Sequence, residues 1–150
     1  MGLPGSGKTT FAKTLAPMLH TVHFNADDIR KEISPHLGFS LQDRIEQARR
    51  IGWLCYQVTL LGNFVVADLI CPTNDTRVAF GTENAFVVWV DRISHCCFED
   101  TNELFVPPDT YDIRVCGGKK VAYWAKQIAD TVTGGELLEP LETDCAGENF

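Results

Sequence analysis

The sequence has 150 residues, a length that predicts one compact domain, and 45% of them are hydrophobic, which is enough to build one core. Its formal net charge of -7 excludes a global positive field that would attract nucleic acid, so we expect no nucleic-acid partner. An anionic substrate would have to meet a local cluster of arginine and lysine side chains instead.

Cysteine usage and hydropathy favour a cytoplasmic protein. The six cysteines form no CxxC pair and no zinc-like spacing with the four histidines. Three of them lie within apolar runs, as expected of reduced, buried thiols. We expect no membrane partner, because no stretch approaches the roughly 18 to 20 apolar residues of a membrane span, and we expect no secretory signal.

Helical and extended patterns alternate along the chain, which predicts an α/β fold with a parallel sheet flanked by helices. In chain order, the patterns predict a helix over residues 8–19, a strand over 22–25, a helix over 41–61, strands over 64–71, 85–90 and 113–115, and a closing helix over 121–132. Residues 135–150 are acidic and poorly patterned, so we expect a loose tail there. Residues 1–134 would then form the single domain.

The start of the chain carries the strongest motif. Residues 2–9, GLPGSGKT, satisfy the pattern GxxxxGK[ST] at every position, and a helical pattern follows at once, which disfavours a chance glycine-rich turn. In such a loop, backbone N–H groups converge on phosphate oxygens, the lysine reaches the β- and γ-phosphates, and the hydroxyl ligates Mg²⁺. We therefore predict that ATP and Mg²⁺ are cofactors, with Lys8 catalytic and Thr9 a metal ligand. The predicted phosphate-binding residues are Gly2, Pro4, Gly5, Ser6, Gly7, Lys8, Thr9 and Thr10.

One feature of this motif is unusual. The loop normally follows a strand at the centre of the sheet, and here only Met1 precedes Gly2. Either residues upstream of Met1 are missing, or the fold tolerates the loss of a central strand. We favour the first explanation. A truncation would leave the site recognisable while weakening or abolishing activity.

Two later segments are candidates for an acceptor site. Asp27 and Arg30 follow the first predicted strand, at the edge where open α/β sheets bind ligands, so they could orient a hydroxyl and hold an anion. A solvated helix start explains both residues about equally well. Arg44 and Gln47 share a face of the long helix, and Phe39 lies just before it. Taken alone, that second segment favours a solvated amphipathic helix.

Four segments, in order, resemble the adenylylsulfate kinase family: GLPGSGKTT, NADDIR, LGFSLQDRIEQARRIG and VADLICPTNDTR. The corresponding family segments read roughly DGDNVR, LGFS..DR..NIRR and ISP....R, of which LGFS..DR is fairly specific. The match covers about residues 2–77, and a weaker similarity continues through FEDTNELFVPPDTYDIRV. The resemblance implies a P-loop NTPase-type three-layer domain and phosphorylation of the 3′-hydroxyl of adenylylsulfate to 3′-phosphoadenylylsulfate. It also implies a small-molecule nucleotide substrate and is compatible with a homodimer.

The resemblance also implies roles for individual residues. Asp27 would assist the 3′-hydroxyl and the metal. Arg30 and Arg44 would bind the phosphosulfate of the substrate. Phe39 and Phe98 would contact the two faces of its adenine. Gln47, at a position where the family usually has Asn, and Ile70 would line the same substrate pocket. Arg77 matches a family arginine whose role is not assigned. Asp68, which follows an apolar run, is a further metal candidate, and an acid paired with a neighbour is the equal alternative.

The sequence departs from the family pattern at three places. Asn25 replaces the first aspartate of DGDN. Cys71 lies where the family often has serine, and we favour a packed thiol there over a reactive one. The basic lid segment of the family is absent from residues 91–97. Arg92 and His95 lie in that stretch, and we favour solvent-exposed roles for both. Two alternatives therefore stay open. One is a related P-loop kinase acting on another small-molecule or polynucleotide hydroxyl, and the other is a nucleotide-binding protein that does not catalyse.

Overall fold

A computed structural model describes residues 1–134. The helices are α1 Lys8–Met18, α2 Ala26–Glu32, α3 Leu41–Thr59, α4 Asn74–Phe80, α5 Glu99–Leu104 and α6 Val121–Val132, with a short 3₁₀ helix at Thr82–Asn84. The strands are β1 His23–Asn25, β2 Val66–Asp68, β3 Val88–Val90 and β4 Ile113–Val115. The predicted α/β fold with parallel strands is confirmed. The predicted tail over 135–150 lies outside the described residues, so the domain boundary at residue 134 stays a prediction.

Three short helices, α2, α4 and α5, are absent from the predicted order of elements, although a helix start at Asp27 was one of the two interpretations of that segment. Two of these helices begin at side-chain caps. The Asn25 side chain accepts hydrogen bonds from the backbone N–H groups of Asp27 and Asp28 and so begins α2. Thr73 and Thr76 form a capping box that begins α4. These helices have six or seven residues, too few for the periodic pattern by which the longer helices were predicted.

The strands form two parallel pairs rather than one continuous sheet. β1 pairs with β2 from His23↔Val66 to Asn25↔Asp68, and β3 pairs with β4 from Val88↔Ile113 to Val90↔Val115. Each strand has three residues, so the predictions of longer strands over 64–71 and 85–90 are wrong. The physical reason is that strand length is set by backbone pairing, which spans only these three residues in each strand within residues 1–134, and an apolar run does not encode where pairing ends.

Met1 lies in the place between β2 and β3 where a central strand would end. Its N-terminal nitrogen donates to the Val88 carbonyl at 2.6 Å, and its own carbonyl accepts from the Val90 N–H at 2.8 Å. On the other side, the Gly2 N–H donates to the Ile70 carbonyl at 3.4 Å. These bonds have the spacing of a parallel ladder. These bonds place the start of the phosphate loop beside β3.

Helices cover both faces of the strands, and the apolar core is divided between them. α1 packs against α6 on one face and α3 packs against α4 on the other, where a Cβ on Gly52 would clash with the Phe80 carbonyl. One cluster contains Phe11, Leu15, Ile113, Val115, Trp124, Ala125, Ile128 and Ala129, and the second contains Ile29, Ile51, Cys55, Leu69 and Cys71. Within residues 1–134, no helix is both long and apolar enough to cross a membrane.

Candidate active site

The phosphate loop has the backbone conformation that its glycines allow. Gly5 and Gly7 have φ angles of 83° and 98°, in the left-handed region that side chains disfavour, and Gly7 is the N-cap of α1. Ser6 is buried, and its Oγ has no hydrogen-bond partner within the described part of the chain. A buried hydroxyl without a partner, beside a helix N-terminus, suits a ligand that supplies acceptor oxygens.

Lys8 is held inside the loop. Its Nζ donates to the Leu3 carbonyl at 2.8 Å, and the side chain is buried. Desolvation lowers the pKa of Lys8, and the nearby charges of Asp68 and Asp27 partly offset this effect. A buried ammonium that bonds one loop carbonyl is well placed to transfer its hydrogen bonds to a bound phosphate.

Asn25 connects the phosphate loop to the end of β2. Its Nδ2 donates to Asp68 Oδ2 at 3.0 Å and to Thr9 Oγ1 at 3.3 Å, while its Oδ1 caps α2. His23 Nε2 lies 3.0 Å from the same oxygen of Asp68. The amide of Asn25, which replaces an acid in the family pattern, thus donates to two of the three residues predicted to hold the metal.

The donor set fits Mg²⁺. Thr9 supplies a hydroxyl, and Asp27 and Asp68 supply carboxylates; all three line one cavity beside the loop. Oxygen ligands from one or two carboxylates, completed by substrate phosphates and water, are the usual environment of Mg²⁺. Asp68 is already paired with His23 and Asn25, as one of the two interpretations expected, and its role as a metal ligand stays a prediction.

The structure gathers most of the predicted site residues around this cavity of about 180 Å³. The predicted residues that line it are Pro4, Gly5, Lys8, Thr9, Asp27, Arg30, Phe39, Arg44, Gln47, Asp68 and Ile70. Residues as far apart in sequence as Pro4 and Ile70, which are 66 positions apart, therefore line one pocket. Gly2, Ser6, Gly7 and Thr10 belong to the loop and the first turn of α1 without lining the cavity.

Two guanidinium groups flank the Phe39 ring. The guanidinium carbons of Arg30 and Arg44 lie 4.8 and 5.7 Å from the ring centroid. Arg44 is buried, donating to the Phe39 carbonyl at 2.8 Å and to Thr101 Oγ1 at 3.1 Å. The pKa of Arg30 is lowered by desolvation and then by the positive charge of Arg44. Two cations this close to each other favour an anion between them or beside them.

Gln47 presents an acceptor without a partner. The residue is 2% exposed and lines the cavity, and its Nε2 donates to the Ala26 carbonyl at 3.1 Å. Its Oε1 is buried and makes no hydrogen bond with any described residue. Since an unpaired buried acceptor costs free energy, a ligand that donates a hydrogen bond there would be stabilised.

Phe98 does not line the cavity. It is 54% exposed and immediately precedes α5, whose residues Asp100 and Thr101 contact Arg44. It therefore lies within one helical turn of a residue that contacts the site. The paired aromatic faces of Phe39 and Phe98 around an adenine stay a prediction.

Arg77 has a structural role that the sequence did not reveal. Its Nε donates to the Cys71 carbonyl at 3.2 Å, and its Nη2 donates to the Val106 carbonyl. Cys71 has a φ of 46°, unusual for a residue other than glycine. Arg77 thus fixes this turn at the edge of the cavity. Its partners lie far apart in sequence, so only the tertiary structure shows them.

The segment 91–97 lies over the phosphate loop. The Nη1 of Arg92 is 3.4 Å from the position that a Cβ on Gly7 would take, and Ile93 Cδ1 is 3.7 Å from that of Gly5. Arg92 is solvent-exposed, as expected, and it is also a cation beside the loop. His95 is exposed and lies near Glu99, with 3.8 Å between Nε2 and Oε2. No sequence motif marks Arg92.

Thiol reactivity should differ sharply between Cys71 and Cys97. Cys71 is buried, and desolvation raises its pKa to about 11, whereas Cys97 is exposed. Because the thiolate is the nucleophile, iodoacetamide at neutral pH should alkylate Cys97 at least about 100-fold faster. A time course by peptide mass spectrometry measures both rates. Equal labelling would contradict the inert, packed thiol that the structure supports.

Parallel strands between helix layers, with a GxxxxGK[ST] loop and an acid at the end of a neighbouring strand, define a P-loop nucleotide-binding protein. Comparison with known protein families identifies the family within this class. Residues 1–133 match the sequence model of the adenylylsulphate kinase family, and the chain belongs to this family. The resemblance carried by the four sequence segments is thereby confirmed.

Individual relatives agree with this assignment. An adenylyl-sulfate kinase of Buchnera aphidicola is 30% identical over 144 residues, which cover 89% of this chain and 70% of the relative. One from Gloeothece citriformis is 37% identical over 81 residues, 51% of this chain and 46% of the relative. The chain thus spans less than half the length of several curated relatives that it matches.

Solved structures show the same fold. The APS kinase CysC of Mycobacterium tuberculosis, in complex with AMPPNP and APS, superposes with a TM-score of 0.76 at 20% identity, covering 89% of this chain and 94% of that one. A hexameric APS kinase from Thiobacillus denitrificans gives a TM-score of 0.66 at 24% identity, covering 93% of this chain and 29% of that one. These similarities confirm the P-loop NTPase-type architecture.

Proposed function

We propose that the chain transfers the γ-phosphoryl group of ATP to the 3′-hydroxyl of adenylylsulfate, giving 3′-phosphoadenylylsulfate. The observation that carries this proposal is the shared cavity, which joins the phosphate loop to the acceptor residues predicted from the family segments. Membership of the adenylylsulphate kinase family supports it. Both substrates would then meet at the carboxyl edge of the strands, where open α/β folds bind ligands.

The phosphate loop would bind ATP through its backbone N–H groups and the Ser6 hydroxyl, which has no partner among the described residues. Lys8 would exchange its bond to the Leu3 carbonyl for a phosphate oxygen. Thr9, Asp68 and Asp27 would hold Mg²⁺, which when bound neutralises charge on the phosphate oxygens. These residues position and stabilise charge, and none of them has to form a covalent intermediate.

The acceptor side of the cavity would hold adenylylsulfate. Arg30 and Arg44 would bind its phosphosulfate, and the face of Phe39 would stack on its base. Asp27 would accept a hydrogen bond from the 3′-hydroxyl and receive its proton as the oxygen attacks. Gln47 Oε1, unpaired within the described chain, would accept a hydrogen bond from the bound nucleotide.

A coupled assay of ADP release, with ATP, Mg²⁺ and adenylylsulfate, tests the proposal. We expect ADP and 3′-phosphoadenylylsulfate to form in equal amounts, and only when adenylylsulfate is present. Isothermal titration with a non-hydrolysable ATP analogue provides the matched binding measurement. If the protein still bound the ATP analogue but released no ADP from ATP in the presence of adenylylsulfate, the proposed reaction would be refuted.

Arg92 is expected to contribute to phosphate binding in the absence of a longer lid. Because its Nη1 lies beside Gly7, Arg92→Ala should raise KM for ATP or lower kcat by about tenfold. Arg49→Ala is the control, because Arg49 is an exposed arginine of α3 that pairs with Glu46. If Arg92→Ala and Arg49→Ala had the same kinetics, Arg92 would have no role in ATP binding.

A second candidate function is nucleotide binding without catalysis. The amide of Asn25 already bonds to Thr9 and Asp68, two of the three residues expected to hold the metal, and this observation favours the alternative. Tight ATP binding with no turnover on any acceptor would establish it. A panel of small-molecule and polynucleotide hydroxyls would detect a related kinase with a different acceptor.

We also propose that the protein self-associates and that it is located in the cytoplasm. The family resemblance supports a homodimer, and a related structure is described as hexameric, so self-association is expected. Analytical ultracentrifugation would show it, and a monomer at micromolar concentration would contradict it. The composition supports a cytoplasmic location, which fractionation of the source cells would test.

A further inference from the structure

Asn25 and Asp68 are the last residues of two neighbouring strands. They are direct partners in the parallel register of β1 and β2, at the edge where open α/β sheets bind ligands. Their side chains lie on the same face of the strand pair, and Asn25 Nδ2 donates to Asp68 Oδ2 at 3.0 Å. A carboxylate at either position would therefore lie about one strand spacing, about 4.8 Å, from a carboxylate at the other.

Every polar atom of the Asn25 side chain makes a hydrogen bond. Its amide nitrogen has two hydrogens, and it donates to Asp68 and, at 3.3 Å, to Thr9 Oγ1. Its Oδ1 caps α2. A carboxylate at position 25 could still cap the helix, but it would offer no hydrogen to Asp68 and would place a second negative charge beside it. The amide at position 25 and the acid at position 68 therefore depend on each other.

Asp68 is held through one of its two carboxylate oxygens. The residue is buried, and its Oδ2 lies 3.0 Å from both Asn25 Nδ2 and His23 Nε2. His23 lies two residues before Asn25 on β1, so both side chains project to the face of the strand pair that Asp68 occupies. Asp68 Oδ1 has no hydrogen-bond partner within residues 1–134. Because Asp68 lines the cavity, this second oxygen is available to a ligand.

We propose that Asp68 replaces the acid that the family segment DGDN has at position 25, and that Asn25 and His23 are positioning residues that orient Asp68 for Mg²⁺–ATP binding. The carboxylate thus occupies the paired position on the neighbouring strand. Groups that hold a metal-binding carboxylate in place typically change metal affinity by about 10–100-fold when they are lost. This inference rests on the Mg²⁺–ATP binding in the proposed function, but not on phosphoryl transfer to adenylylsulfate.

The test measures the affinity of the 150-residue chain for AMPPNP by isothermal titration, once with excess Mg²⁺ and once with EDTA. The ratio of the two dissociation constants is the gain in affinity from Mg²⁺, and we expect a gain of at least about 30-fold for the unmodified chain. Asp68→Asn should reduce this gain by at least about tenfold and leave the affinity in EDTA within about threefold. Asp75→Asn is the control, because Asp75 is an exposed carboxylate of α4 that does not line the cavity.

The exchange variant Asn25→Asp/Asp68→Asn tests the replacement directly. It returns the acid to position 25 and places the amide at position 68, so its gain from Mg²⁺ should lie within about threefold of that of the unmodified chain. Asn25→Asp alone should lower Tm in EDTA by about 5 °C, because two carboxylates then adjoin, and the exchange variant should recover this Tm. If Asp68→Asn alone does not fold, the exchange variant provides the test of position 68.

Two substitutions of His23 test its positioning role. His23→Ala removes a partner of Asp68 Oδ2 and should reduce the gain from Mg²⁺ by about tenfold. His23→Gln keeps a side-chain N–H donor and should retain the gain within about threefold. The affinity for AMPPNP in EDTA should be the same in both variants, which separates metal binding from a general loss of structure.

The proposal is overturned if Asp68→Asn keeps the full gain from Mg²⁺, or if the exchange variant gains no more than Asp68→Asn. Equal gains for His23→Ala and the unmodified chain would overturn the role of His23. Failure of the unmodified chain to bind AMPPNP would refute the proposed function together with this inference. The expected gains without any ADP release in the presence of adenylylsulfate would refute the proposed reaction alone and would support the roles of Asp68, Asn25 and His23.

Discussion

Lys8→Ala is expected to lower kcat for adenylylsulfate phosphorylation by at least about 10²–10³-fold, the usual cost of removing one preorganised group that stabilises transition-state charge. Lys8 is buried inside the phosphate loop, and its Nζ is held at 2.8 Å from the Leu3 carbonyl. Charge on the transferring phosphoryl group would lose its nearest ammonium. Initial rates at saturating ATP and adenylylsulfate, with titration calorimetry for nucleotide affinity, provide the measurement.

Lys13→Ala is the matched control for this variant. Lys13 lies on the same helix and is exposed, so its loss removes an equal charge without touching the loop. We expect its kcat to stay within about twofold of the unmodified chain, as for most surface substitutions. A Lys8→Ala variant that keeps its fold by circular dichroism and turns over within tenfold of the unmodified chain would contradict the catalytic role of Lys8.

Asp27→Asn is expected to lower kcat by about 10²–10⁴-fold, the range typical of losing a general base. Asp27 lines the cavity beside Lys8 and Arg30, and its carboxylate is exposed enough to reach a bound hydroxyl. KM for adenylylsulfate should change less than kcat, because the arginines and Phe39 would still bind the substrate. Steady-state kinetics with varied adenylylsulfate separate the two parameters.

Asp28→Asn is the matched control for Asp27→Asn. Asp27 and Asp28 are neighbours in the first turn of α2, both are exposed, and both donate their backbone N–H to Asn25 Oδ1 at 3.0 Å. Loss of either carboxylate should weaken the helix N-terminus by a similar amount, about 0.3–1 kcal/mol. Only Asp27 lines the cavity. If both variants lost activity equally, the effect would come from the helix and not from a reacting carboxylate.

The conformation of the phosphate loop could be predicted because it depends on one short segment. Residues 2–9 contain the glycines that reach left-handed φ values, and α1 begins at Lys8 as its pattern predicts. The resemblance of four segments likewise predicted that Arg30, Arg44 and Gln47 share one pocket, and all three line the cavity. Their alternative, a solvated helix face, fails for Arg44 and Gln47 because both are buried.

Other parts of the site depend on contacts that no local pattern encodes. Arg44 bonds to Thr101, 57 positions away, and Arg77 bonds to the Val106 carbonyl, 29 positions away. Arg92 lies beside the phosphate loop because β3, which ends two residues earlier, bonds to Met1 at the start of that loop. Gln47 matched a family position in sequence, but its unpaired oxygen appears only when the neighbouring backbone of α2 is in place.

The sequence by itself determined the family, the nucleotide loop and the order of the four strands and three longer helices, since these depend on short motifs and on hydrophobic periodicity. The tertiary structure alone decided where each strand ends and which distant segments meet at the site. Strand pairing spans three residues in each strand, and Arg44, Gln47 and Arg77 bond to partners in other segments. Hydrogen bonds between strands and the packing of helices across them are long-range interactions, so their outcome cannot be deduced from any one segment.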